Sequence, residues 1–249
     1  MFWDNNSKCV PAMLAALAAA TTPGYAMAGI VVASSGPSSA SFPPGKKLAD
    51  DAQITLKTAD SVTILDAKGT RVLRGAGTFT VGAPGAVTRT ATFVALTRER
   101  GAQRVRTGAV RGPNGKPVSP NLWYVNLTRS GTFCIVDPTT IRVWRPEKDG
   151  GATYLVSDKA GTKTARLVYS DGVTVAPWDV VTAPVTEGAT YAISSTNGAN
   201  RATVSFTLLP ARDYAPEDLA AVLIAKGCTE QVDLLATSLA LPQDAPAAM

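Results

Sequence analysis

From Ile54 onward the chain interrupts its apolar runs after only a few residues, and it does so with Asp, Asn and Gly. Ile54 to Leu56, Val62 to Leu65, Val72-Leu73 and Phe79 with Val81 are β-branched or aromatic runs. They are separated by Thr58-Ala59-Asp60-Ser61, Asp66-Ala67-Lys68-Gly69 and Gly75-Ala76-Gly77. Asp and Gly accept turn dihedrals that β-branched residues refuse, so each interruption reads as a hairpin and the set as an antiparallel meander. Similar runs recur at 122–127, 132–136, 140–144, 153–157, 165–170, 190–194 and 203–208, with turns at Asp149-Gly150-Gly151, Asp171-Gly172 and Asn197-Gly198. That spacing predicts a β-sandwich. In the last run Val204, Phe206 and Leu208 alternate with Thr203, Ser205 and Thr207, as expected of a sheet with one wet face. Trp123, Trp144 and Trp178 fall in or beside these runs, where aromatics more often cover a core than grip a ligand.

The period of two is lost in three places. Residues 88–103 bring Phe93, Val94 and Leu96 before an Arg-Glu-Arg run, which suggests a helix or helical turn. Pro216 opens a second helix with Glu217 and Asp218 in its first turn and Gly227 at its end, and Leu219, Val222 and Leu223 give it an apolar stripe. A third begins at Glu230, with Val232, Leu235, Ala236 and Leu239 at helical spacing. The fold class expected is therefore mostly β: a small antiparallel β-domain plus a β-sandwich with a C-terminal helical hairpin. The Pro- and Gly-rich stretch 108–120 reads as a linker with a boundary near 117. The domains expected are a signal peptide at 1–28, a β-domain with a basic segment at 29–116, a sandwich at 117–210, the hairpin at 211–241 and a disordered tail at 242–249.

The first 28 residues set the compartment. Lys8 precedes an apolar stretch of about 11 residues, short of the ~20 that span a bilayer, and Ala26-Met27-Ala28 offers the small residues that signal peptidase requires before Gly29. Export to the periplasm or medium follows as an expectation. Cys9 lies ahead of the apolar stretch, where a lipid-accepting cysteine does not sit, so the exported form is read as lipid-free. Cleavage would leave Cys134 and Cys228, an even pair in an oxidising compartment, which argues for one disulfide closing a loop of 94 residues. Two buried free thiols are the alternative.

Charge is distributed unevenly. Residues 29–116 hold 13 Lys and Arg against 5 Asp and Glu, whereas 117–249 hold 10 against 13. The densest basic stretch is Arg98, Arg100, Arg104, Arg106, Arg111 and Lys116. The five arginines are the candidate binding residues, because a basic cluster attracts polyanions whatever their identity. The same stretch also reads as a solvated loop, or as a patch packed on the acidic half, and sequence leaves these readings open. Outside the cytoplasm the partners to consider are an acidic face of an envelope protein, a wall polymer or an anionic lipid, not nucleic acid.

Several chemistries are excluded or unsupported by composition. The chain has no histidine, which removes a Ser-His-Asp triad and most zinc sites. Gly115-Lys116 is followed by Pro117 and lacks the first glycine of a phosphate loop. Neither G-x-S-x-G nor S-x-x-K occurs, and no calcium-loop density of Asp and Asn is present. No catalytic residue, metal or cofactor is expected; a hydrolase would need a buried polar cluster that the sequence does not reveal.

Gly45, Leu48, Asp51, Ile54, Asp60, Val62, Ile64, Asp66, Gly69, Val72 and Phe79 follow the order of glycine, acidic, alternating apolar and Asp-x-x-Gly positions found in FecR-type periplasmic domains. Residues 45–81 resemble that family. The resemblance implies a small exported β-domain that contacts another envelope component. The family's cytoplasmic anti-sigma segment and transmembrane helix have no counterpart here, so its signal transfer across a membrane is not carried over. The following half looks like an immunoglobulin-like module in architecture. The functional expectation is a non-catalytic binding or accessory sensor protein of the bacterial cell envelope; the alternative is a wall-polymer or anionic-lipid binding protein using the basic patch.

Overall fold

The computed structural model describes residues 27–82, 89–98, 117–196 and 201–241. The expected leader up to residue 26, most of the linker and the tail at 242–249 lie outside them. The chain is mostly β with two helices at its C-terminal end, as the residue pattern predicts.

The first part contains β1 (Met27–Ser35), β2 (Lys47–Ala49), β3 (Gln53–Leu56), β4 (Ser61–Asp66), β5 (Gly69–Arg74) and β6 (Gly77–Thr80). They do not form the simple meander expected. One antiparallel sheet has the order β2-β1-β4-β5, while β3 pairs with β6 in a separate ribbon. Only Asp66-Ala67-Lys68-Gly69 makes a hairpin, where the Asp66 carboxylate accepts the N–H groups of Lys68 and Gly69 at 2.8 and 3.0 Å. At the preceding turn the Asp60 carboxylate accepts from Lys57 N–H at 2.6 Å and Ser38 N–H at 2.9 Å, and its carbonyl takes Gly75 N–H at 3.0 Å. Those bonds fix a corner, so β3 leaves the sheet instead of folding back on β4.

Both faces of this sheet are covered, which explains why Ile30, Val31 and Val32 form an unbroken apolar run. Val31, Leu48, Val62 and Ile64 pack with Ile54 and Leu56 of the ribbon. Ile30, Val32 and Leu65 face the other way, into a second core shared with the helices.

Helix α1 (Thr90–Thr97) lies within the predicted helical stretch. The sandwich follows with β7 (Val125–Asn126), β8 (Gly131–Ile135), β9 (Arg142–Trp144), β10 (Ala152–Asp158), β11 (Thr164–Tyr169), β12 (Val175–Pro177), β13 (Thr190–Ser195) and β14 (Arg201–Leu208). Its sheets have the orders β11-β10-β13-β14-β8 and β12-β9-β7. Most neighbours are antiparallel, but β14–β8 and β7–β9 run parallel. Between the sheets Trp178, Tyr191 and Phe206 meet edge to face at 5.3 to 6.3 Å, and Trp178 Nε1 donates to Ala183 O at 2.7 Å. Helices α2 (Pro216–Ala225) and α3 (Thr229–Ser238) close the chain, with Gly227 at φ +74° ending α2. They pack on β1 and β4 as well as on β8, so the hairpin joins the first sheet to the sandwich.

Candidate functional site

The joint between hairpin and sandwich is held by two devices. Cys134 on β8 and Cys228 before α3 place their Sγ atoms at bonding distance, 1.95 Å, with Cα atoms 5.9 Å apart. Both residues are fully buried. Next to them Gln231, itself buried, turns its amide toward the open edge of β8. Cys134 N–H donates to Gln231 Oε1 at 2.6 Å, and Gln231 Nε2 donates to Cys134 O at 2.9 Å and Leu122 O at 3.0 Å. One side chain thus performs the bonding of an absent neighbouring strand, which leaves no buried backbone group of Cys134 unpaired.

A strand-like run was expected over 122–127, but the strand is confined to Val125–Asn126. Asn121 starts a turn, its Oδ1 accepting Trp123 N–H at 2.9 Å. That turn grips the end of α1: Asn121 Nδ2 donates to Arg98 O at 2.9 Å, Trp123 Nε1 to Thr97 O at 2.7 Å, and Leu122 N–H to Leu96 O at 3.0 Å. A cleft of about 850 Å³ lies between α1, this turn and the loop entering α2. Phe93, Val94, Trp123, Val136, Tyr214 and Leu219 supply its apolar walls. Arg98, Arg212 and Asp213 also line it.

The polar handles of the two ring systems are already used. Trp123 Nε1 is bound as above, and Tyr214 Oη donates to Pro210 O at 3.0 Å, so the cleft meets ring surfaces and not their donors. The Arg212 guanidinium lies 4.5 Å from the Tyr214 ring centre. Among the described residues neither Arg98 nor Arg212 forms a salt bridge.

Of the five arginines predicted to bind, Arg98 is exposed at the end of α1 and reaches the cleft; Arg100, Arg104, Arg106 and Arg111 lie outside the described residues. Sequence reading missed Trp123, Arg212 and Tyr214 as companions of Arg98. Residues more than 20 apart in the chain become neighbours only through the Asn121 turn and the hairpin.

A second polar group lies at the start of α3. Glu230 accepts a hydrogen bond from Asn126 Nδ2, and burial raises its carboxyl above the ordinary range, as burial also does for Asp233. By contrast, hydrogen bonds from Ser38 and Lys57 hold Asp60 below that range. Among the described residues no three acidic or cysteine side chains come together to hold a metal ion. No described helix is long and apolar enough to cross a membrane. In comparison with known proteins, no family model and no curated protein matches the sequence.

Proposed function

We propose that the protein is an exported, non-catalytic binding or accessory sensor module of the cell envelope, acting through contact with an envelope protein. The observation that carries the reading is the buried Cys134–Cys228 pair, which ties the last helices to the sandwich and suits a compartment where thiols oxidise. Its support comes also from β1, whose Gly29 takes partners on both sides, Leu48 and Asp66. Cleavage before Gly29 would remove Met27 and its pairing with Ala49, and would keep the pairing of β1 with β2 and β4 from Gly29 onward. The resemblance of residues 45–81 to FecR-type periplasmic domains adds the expectation of an envelope partner.

Fractionation with mass measurement of the purified chain tests this reading. Export predicts a periplasmic or secreted product beginning at Gly29, whose cysteines resist alkylation until a reductant and denaturant are added. Recovery from the cytosol with Met1 retained and both thiols freely alkylated under denaturing conditions overturns it.

A further inference from the structure

We infer that the cleft beside α1 is the partner-binding site, and that it takes an acidic peptide segment anchored by an apolar side chain. The inference rests on the proposed binding role and gives that role a place and a chemistry.

The cleft combines two features that are ordinarily kept apart on a protein surface. Its walls are apolar, with Val94 46% exposed on α1 although nothing in the chain covers it among the described residues. Such a surface is stabilised when an apolar group removes it from water. Around these walls stand Arg98 and Arg212, brought from different elements and without a salt bridge among the described residues, against one carboxylate, Asp213. Arg98 also begins the basic stretch of the sequence, whose remaining arginines lie outside the described residues. A ligand that satisfies both features carries carboxylates flanking an apolar group. Because the indole N–H and the Tyr214 hydroxyl are bonded internally, no donor of either ring is left to read a sugar hydroxyl. The Tyr214 ring is already covered on one side by the Arg212 guanidinium, which leaves Phe93 and Trp123 as the aromatic surface for a Leu or Phe side chain. The cleft is partly open to solvent. A peptide is favoured over a lipid because it can place acidic groups on both sides of an apolar side chain, as Arg98 and Arg212 on different elements require, whereas a lipid carries its charge at one end.

The test uses the mature chain against a displayed library of random dodecapeptides, with phosphatidylglycerol vesicles in parallel. Wild-type protein is expected to enrich sequences with Asp or Glu beside Leu, Phe or Met. The best of them, made synthetically, should bind about tenfold more weakly to the R98E/R212E double variant and to Val94→Asp, and more weakly as salt rises. These positions are exposed, and unchanged thermal melts would show that the variants fold. Enrichment without acidic character overturns the assignment, as does equal binding by R98E/R212E. Vesicle binding lost in the same variants, with no peptide enriched, would overturn it in favour of a lipid. Each of these results leaves the export test untouched, so failure of the site is distinguishable from failure of the envelope role.

Discussion

The sandwich core and the joint under the hairpin are both buried, but they are built in opposite ways. Much of the sandwich interior is drawn from alternating residues of β10, β11, β13 and β14, and its aromatic cluster of Trp178, Tyr191 and Phe206 comes from one stretch of the chain, 178–206. The joint collects Ile30 and Leu65 from the first sheet, Phe93 and Leu96 from α1, Leu122 from the turn, Cys134 from β8 and Leu219, Leu223 and Leu235 from the hairpin. A core of the first kind is closed by local alternation. One of the second kind needs a clasp, and here the bridge and the Gln231 amide supply it.

The largest effect should come from removing the bridge. Replacing Cys134 and Cys228 by Ser should lower stability by about 4–5 kcal/mol, given the length of the closed loop. If the contrast between regions is right, hydrogen exchange will show α2, α3 and β1 opening before the sandwich strands; uniform loss across both would break it. Phe206→Ala should cost about 4 kcal/mol and weaken the sandwich without selective exposure of the hairpin, a pattern that the same exchange measurement reads. Gln231→Glu keeps the shape but removes the donor to the Leu122 and Cys134 carbonyls. A loss of about 3 kcal/mol in denaturant unfolding is expected at neutral pH, where the carboxylate would also be buried.

The acid response separates the two regions further. Glu230 and Asp233 at the joint have folded-state values above their unfolded ones, so their contribution is present at low pH and is lost as pH rises through the folded values. Asp60 has the reverse sign: its contribution is present above the unfolded carboxyl range and is lost as pH falls through its lowered value. The melting temperature is therefore expected to rise from neutral to mildly acidic pH and then fall in stronger acid. Glu230→Gln, which can still accept from Asn126, should remove part of the first limb and stabilise at neutral pH by about 0.5 kcal/mol; an unchanged pH profile would assign the rise elsewhere.

The contrast also explains which features are visible in the sequence. Alternation in β14 and the Pro216 to Gly227 helix signals are local, and the structure reproduces them because no distant residue competes. The first sheet is different: its turns are recognisable, yet whether a turn makes a hairpin or a corner depends on where the Asp60 carboxylate finds its N–H donors, one of them at Ser38. β12 is only three residues long and ends in Pro177, so it lacks the alternation by which a strand is recognised. For the cleft, Arg98 is identifiable from charge alone. Trp123 and Tyr214 are not, since their neighbourhood is created by tertiary packing.

After α3 the backbone crosses to the outer side of β5, where Thr70 N–H donates to Leu239 O and Leu241 N–H to Thr70 O, both at 2.8 Å. The first described sheet is thus finished by residues that follow α3, at a spot where Gly69 has no room for a Cβ beside Leu239 O. During synthesis β1 and β4 must wait, their Ile30, Val32 and Leu65 side uncovered, until α2 and α3 have emerged. A holding chaperone would serve a polypeptide whose first described sheet is sealed by helices that follow the whole sandwich.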